Sequence, residues 1–253
     1  MKAWHIIGLM AVNPLFLMAQ NLQYVSSSRA VVANTETTAT QTAKPAVKNL
    51  HLMPLFGETS KSTEQIEQEI RFLNDCDQNF ASREEASQFF SERAWDYLRD
   101  NELDTACYRF NLAWLLNPKN VECYWGLGVV CYKKNHFTDA ERMLRKGVDL
   151  DSSNVGLLVD LATVDLLHFK ASKEAWELTE AEQILNHAIR LDTNNANAYL
   201  KKSVLEFHKC NYDAAWTNLH KTRLLNIELL DYEFMSELIA QKPDPLGIFK
   251  GEK

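Results

Sequence analysis

The residues best suited to catalysis or metal binding are five cysteines and seven histidines, and their spacing fits neither use. No two cysteines form a Cys-x-x-Cys pair, and the nearest approach to a metal pair, His208-Lys209-Cys210, ends a predicted helix. Gly57–Ser62 has lysine followed by serine but lacks the second glycine that a phosphate-binding loop needs. The sequence therefore predicts no catalytic residue, no metal and no cofactor, and we expect that the protein is not an enzyme.

Three cysteines, Cys107, Cys123 and Cys131, lie close together in the sequence and leave two interpretations open. In an exported protein they could form a disulfide, because oxidising compartments permit one. Alternatively they are small apolar residues of a core, which is the usual environment of a free cysteine.

The overall charge limits the class of partner. The chain has 27 basic and 34 acidic residues, which gives a formal net charge of −7. Nucleic acids and anionic membrane surfaces attract proteins with a basic excess, so neither is expected as the partner.

The chain begins with features of a secretory signal. Lys2 precedes an apolar stretch that ends at Ala19, which offers a cleavage site before Gln20. We predict a signal peptide over residues 1–19 and export to the bacterial periplasm or cell envelope. An uncleaved membrane anchor is the alternative, but the stretch is shorter than the ~20 residues that span a bilayer. No cysteine follows the stretch directly, so no lipid anchor is expected.

Two segments separate this signal from the main fold. Residues 20–60 are rich in Ser, Thr, Ala, Asn and Gln, and we predict a disordered tether that ends in a short apolar stretch, Met53–Gly57. Residues 61–86 are predicted to form a capping region whose helix starts at a Ser62–Gln65 capping box. The packing face of this helix is predicted from apolar residues at near-helical spacing, namely Ile66, Ile70, Leu73 and Cys76.

A unit of 34 residues repeats from residue 87 onward. The copies are 87–120, 121–154, 155–195 and 196–229, the third is seven residues too long, and 230–253 form a C-terminal capping helix and tail. Position 20 of the four copies is always alanine, at Ala106, Ala140, Ala181 and Ala215. Self-similarity at this period predicts stacked helical hairpins, because each hairpin can bury its apolar face only against its neighbours.

This pattern resembles the tetratricopeptide repeat over residues 87–229. The first copy carries the clearest match, through Phe90, Ala94, Tyr97, Ala106, Phe110, Ala113 and Pro118. The resemblance implies an all-α, right-handed superhelical solenoid of about four hairpins with capping helices. Its small residues allow the two helices of each hairpin to approach closely. Residues 80–130 also resemble uncharacterised exported bacterial proteins of this family.

In this repeat family the first helix of each unit lines a concave groove through positions 2, 5, 9 and 12. Steps of three and four place these positions on one helix face. Here that face is mostly apolar, and it lacks the basic residues with which some family members clamp the carboxylate ends of chaperones, so that ligand class is rejected. The predicted partner-binding residues are Trp95, Leu98, Trp125, Val129, Tyr132, Thr163, Leu166, Leu200, Val204 and Phe207.

An exposed apolar stripe predicts a protein–protein interaction scaffold that docks an apolar peptide or helix of a protein partner. One alternative is a structural subunit of an envelope assembly that uses the groove for self-association. Another is that the chain covers the stripe itself, with Met53–Phe56 or with its C-terminal helix. We also expect that Asp165, Lys202 and Glu206 form one polar cluster, because Lys202 and Glu206 share a helix face.

Overall fold

The computed structural model describes residues 49–249, and the predicted signal peptide and most of the predicted tether lie outside this range. Within it the chain forms ten α-helices and no strand, which confirms the all-α prediction. No helix in this range has both the length and the apolar character that a membrane span requires. The helices are α1 (Thr63–Asn79), α2 (Arg83–Arg99), α3 (Leu103–Leu116), α4 (Val121–Lys133), α5 (Phe137–Leu150), α6 (Val155–Ser172), α7 (Ala175–Leu191), α8 (Ala196–His208), α9 (Tyr212–Leu225) and α10 (Tyr232–Gln241).

Helices α2 to α9 form four antiparallel hairpins, and each helix packs against the next one along the chain. We call α2, α4, α6 and α8 the first helices and α3, α5, α7 and α9 the second helices. Successive first helices also contact one another, so they form one continuous face. The second helices form the opposite face.

Small residues permit the close packing of these hairpins. Ala106 and Ala140, both at position 20, are completely buried. A Cβ atom on Gly126 would lie 2.0 Å from the ring of Phe110, and one on Gly128 would lie 2.6 Å from Leu144. Larger residues at these places would force the helices apart.

The turn within each hairpin depends on a left-handed residue. Asn101, Asn135 and Cys210 have φ values of 61°, 61° and 59°, and asparagine tolerates this conformation better than most residues. In the third repeat the turn residue is Lys173, with φ 62°. The extra residues of this repeat lengthen its helices, to 18 residues in α6 and 17 in α7, compared with 13 and 14 in the second repeat.

The first helices begin at side-chain caps. The side chains of Asn120, Asn154 and Asn195 accept hydrogen bonds from backbone N–H groups in the first turns of α4, α6 and α8. At α1, Ser62 and Gln65 form the predicted capping box. These caps fix where each helix starts, because they satisfy N–H groups that lack partners within the helix.

The N-terminal part of the fold differs from the prediction. Residues 49–58, the end of the predicted tether, form 3-10 turns that bury Leu55 and Phe56 on the first repeat. Helix α1 caps the same repeat through Cys76, while Ile66 and Ile70 are exposed, so they do not belong to its packing face. The reason is that the first half of α1 turns polar residues, such as Gln65 and Gln68, toward residues 49–58, whereas Phe72 in its second half packs on Phe90 of the first repeat, with the ring centroids 5.3 Å apart.

Helix α10 closes the other end of the solenoid. Phe234, Met235 and Leu238 pack against Trp216 and Leu219 of the fourth repeat. The chain then turns back, and residues 242–249 lie along α9.

Candidate functional site

Two tryptophans lie side by side on the face of the first helices. Trp95 belongs to α2 and Trp125 to α4, and their ring centroids are 5.1 Å apart in an edge-to-face arrangement. Both side chains are half-buried. We call this pair the tryptophan ridge.

Hydrogen bonds to the following repeat fix both indole rings. Trp95 Nε1 donates to Glu122 at 2.7 Å, and Trp125 Nε1 donates to Asp160 at 2.7 Å. Burial raises the pKa of the Asp160 carboxyl, and the Trp125 N–H partly opposes this shift. Because each tryptophan is bonded to a different repeat from its own, the ridge is held rigid by three successive first helices.

A glycine makes room for the second ring of the ridge. Gly156 lies at the start of α6, where a Cβ atom would lie 2.7 Å from the Trp125 ring. Any other residue would therefore push this ring out of place.

The remaining predicted groove residues divide into three groups. Tyr132 is exposed, at 36 %, and its ring lies 6.0 Å from that of Phe137. Four are half-buried, namely Val129, Thr163, Val204 and Phe207. Three are buried in core clusters, namely Leu98, Leu166 and Leu200. This corrects the expectation of a fully exposed stripe, because in these three places the neighbouring helices cover the side chains.

The chain covers only part of this face. Met53–Phe56 pack on the second helices and so leave the face of the first helices open. Helix α10 does reach that face in the fourth repeat, where the ring of Phe234 lies 5.6 Å from that of Phe207. The two tryptophans of the ridge remain half-buried, and Trp95 also packs on the buried ring of Phe110, with the centroids 5.2 Å apart.

The predicted cluster of Asp165, Lys202 and Glu206 is wrong. Asp165 bonds to Arg145 at 3.3 Å, Lys202 bonds to Asn186, and Glu206 accepts from Asn211 at 3.1 Å. The physical reason is that each side chain bonds to a different polar partner, namely Arg145 of α5, Asn186 of α7 and Asn211, the residue that precedes α9.

These corrections reveal a feature that the sequence reasoning missed. The residue that follows the large apolar residue at position 24 is polar in every repeat, and we call it the hub residue. The four hub residues are Asn111, Arg145, Asn186 and His220. Each bonds to a group outside its own helix, from another helix or a chain end. The recurrence of polar residues beside core residues was visible in the sequence, but their partners were not.

Arg145 is a hub residue that pairs with three carboxylates. It bonds to Glu141 at 2.8 Å, Glu180 at 2.6 Å and Asp165 at 3.3 Å. The Asp165 side chain is only 3 % exposed, and its second oxygen has no hydrogen-bond partner. Burial raises the pKa of Asp165 to about 7, with Arg145 opposing the shift and Glu180, Glu141 and Glu177 reinforcing it. His168 lies beside the same cluster, 3.0 Å from Glu141.

Comparison with known proteins identifies the fold. The Thermus thermophilus protein TTC0263, described as a thermophilic TPR (tetratricopeptide-repeat) protein, superposes with a TM-score of 0.53 at 17 % identity, over 63 % of this chain and 93 % of its own. The MamA protein gives 0.51 at 21 %, over 65 % and 87 %. Pseudomonas aeruginosa pilF gives 0.54 at 18 %, over 65 % and 72 %. No family model and no curated protein matches the sequence.

The chain has the tetratricopeptide-repeat fold. This confirms the resemblance inferred from the repeating small residues. Within this fold, Cys107, Cys123 and Cys131 are buried and unpaired. Burial raises the pKa of Cys107 and Cys131 to about 12, which keeps these thiols protonated. Among residues 49–249, no group of three or more His, Cys, Asp or Glu side chains has an arrangement that could hold a metal ion.

Proposed function

We propose that this protein is a non-enzymatic interaction scaffold of the cell envelope, and that it docks an apolar peptide or helix of a partner protein on the tryptophan ridge. The observation that carries the proposal is the rigid pairing of Trp95 and Trp125 on an open face. Aromatic side chains held in one orientation offer a large contact area at low entropic cost, and they dominate measured binding hot spots.

The polar groups beside the ridge support the same function. Glu122 and Asp160 accept the indole N–H groups, so the ridge presents apolar ring faces and its N–H groups are satisfied. A partner helix with apolar residues at spacings of three and four would match such a strip. Export rests on the predicted signal over residues 1–19, and the intact mass of the exported protein tests it: the mature chain should begin at Gln20.

Substitution of Trp125 tests the docking proposal. Trp125→Ala should cost more than ~2 kcal/mol of partner affinity while helix content stays nearly constant. Gly156→Ala should weaken binding as well, because the new methyl group displaces the Trp125 ring without removing it. Partners captured by the mature protein and identified by mass spectrometry supply the ligand for these titrations.

The matched control is Trp176→Ala. Trp176 is 56 % exposed on α7, away from the ridge, and its loss should leave the partner bound. If Trp125 is instead an ordinary core residue, Trp125→Ala should lower the stability by ~3–5 kcal/mol and binding should fail only through unfolding. Equal binding by the Trp125 and Trp176 variants would contradict the proposal. If the mass of the protein in solution rises with protein concentration, and this rise is lost in the Trp125→Ala variant, the result would indicate self-association through the ridge.

A further inference from the structure

The first hub residue holds a segment of main chain. Asn111 is completely buried, and its Oδ1 accepts a hydrogen bond from Leu55 N at 2.8 Å. Its Nδ2 donates to the carbonyls of Met53 at 2.8 Å and His51 at 3.1 Å. The amide thus uses both its acceptor and its donors on the backbone of one segment, residues 49–58, which we call the N-terminal segment.

Side chains of the N-terminal segment reach two different repeats. Leu55 enters a core cluster that includes Phe110 of α3 and Met143 of α5. Glu58 pairs with Lys146 of α5 at 2.5 Å and with Arg142 of the same helix. The segment therefore fills the space between the second helices of the first two repeats, as a bound peptide would.

The backbone of this segment shows that the site imposes its shape. Leu55, Phe56 and Glu58 have φ values of 52°, 53° and 50°, in the left-handed region that only glycine adopts freely. A free chain rarely places three such residues together. The segment keeps this conformation because its contacts with the site stabilise it. The residues of the site therefore determine which backbone conformation is bound.

The connection to the rest of the chain is short and extended. Thr59 has φ −104° and ψ 165°, and α1 starts directly after its cap, Ser62. No helix crosses residues 59–62, so a four-residue connector joins the N-terminal segment to α1, although Phe56 packs in one cluster with Cys76 of that helix. A change in the length of this connector alters the reach of the segment but leaves the side chain of Asn111 in place.

We propose that the site around Asn111 also takes the N-terminal segment of a second copy of this chain. Residues 49–58 use both the acceptor and the donors of the buried Asn111 amide, and an identical segment from a second copy would make identical contacts. Reciprocal exchange between two copies fills both sites and closes a two-fold dimer. This interface lies on the second helices, whereas the tryptophan ridge lies on the face of the first helices.

Two full-length variants test the exchange by complementation. One carries Leu55→Asp and Phe56→Asp, so its site is intact and its segment cannot bind. The other carries Asn111→Leu, so its segment is intact and its site cannot hold the backbone. Each variant alone should have the 29.1 kDa mass of one chain, and their mixture should give a species of twice that mass. Two folded variants that stay monomeric when mixed at high concentration would overturn the proposal.

A connector deletion decides the matter if either variant fails to fold. Removal of Thr59 and Ser60 leaves two connector residues, which span at most ~7 Å compared with ~14 Å for four, so the return of the segment to its own site is disfavoured. We expect a stable dimer. The control combines the deletion with Leu55→Asp and Phe56→Asp and should be monomeric. A monomeric deletion variant, or a dimeric control, would show that residues 49–58 do not exchange.

Discussion

Near each end of the solenoid a flanking segment of the chain binds a hub residue, but the chemistry of the two ends differs. At the N-terminal end, the uncharged amide of Asn111 bonds to three backbone groups, and Leu55 and Phe56 are buried beside it. At the C-terminal end, the hub residue is His220, and its Nε2 lies 2.8 Å from Asp244 Oδ1. One closure is mainly apolar, whereas the other centres on an ionisable pair.

The C-terminal closure buries little aliphatic surface. Asp244 accepts hydrogen bonds from the backbone N–H groups of Leu246, Ile248 and Phe249, and this turn places the Phe249 ring parallel to that of His220, with the centroids 5.7 Å apart. Leu246 and Ile248 themselves are exposed. The same position in the repeat can therefore hold a flanking segment by burial or through a hydrogen-bonded His–Asp pair, and the two ends should respond differently to truncation and to pH.

The largest effect is expected at the apolar end. Leu55→Ala should lower the free energy of unfolding by about 2–5 kcal/mol, because Leu55 is 2 % exposed and its loss leaves a cavity in the first core cluster. Leu246→Ala at the opposite end should change stability by less than ~0.5 kcal/mol, since Leu246 is 65 % exposed. Chemical denaturation of both variants measures the contrast. Equal losses would show that the two ends are closed in the same way.

Arg145 is a hub residue in the middle of the solenoid, and a pH effect on stability is also expected there, because the carboxyl of Asp165 is buried beside it. The pKa of Asp165 is raised from 3.8 to about 7, so its ionisation costs stability progressively as pH rises from about 4 to 7. At pH 8, Asp165→Asn should therefore stabilise the protein by about 1–3 kcal/mol, and the gain should vanish near pH 4. Thermal melting across this range measures it.

A control variant sharpens this result. Glu182 pairs with Lys209 at 3.0 Å and is partly exposed, so Glu182→Gln should change stability by less than ~1 kcal/mol at any pH in the range. An Asp165→Asn variant with the same pH profile as the unmodified protein would mean that Asp165 ionises normally in the fold.

The smallest effect is expected at the ionisable end. Burial alone would raise the pKa of Asp244, but the N–H groups of Phe249 and Leu246 and the His220 ring hold it below its usual value. The stability that Asp244 contributes is therefore present above its unfolded pKa and is lost as pH falls below about 4. Asp244→Asn should cost about 0.5–1.5 kcal/mol at pH 7, and the difference should shrink in acid. Hydrogen exchange at Ile248 and Phe249 would locate the loosening; unchanged protection there would argue against this role for Asp244.

The features predicted correctly from the sequence are those with a local physical cause. Alanine at position 20 identified the helix crossings, because only a small side chain permits that approach. The Ser62–Gln65 pair identified the start of α1, because a capping box involves residues only three apart. Each of these inferences needed one helix or one hairpin.

Inferences that needed contacts between distant residues failed or were not made. Lys202 and Asp165 were placed together by their repeat positions, yet second helices supply the nearer partners, Asn186 and Arg145. Leu98 was assigned to an open groove, but burial depends on which neighbouring helix lies above it. A repeat pattern predicts which residues share one face of a helix. It does not predict which residues of other helices pack against that face.

By itself, the sequence determined a stack of helical hairpins, because a 34-residue period of small and large side chains is the signature of units that bury these side chains against their neighbours. Only the tertiary structure decided how its ends are closed. Leu55 and Asn111 are 56 residues apart in the sequence. Their hydrogen bond forms because the folded chain places the N-terminal segment between two second helices. Contacts at that separation carry no periodic signal, so a segment that looks like the end of a flexible tether becomes part of the core.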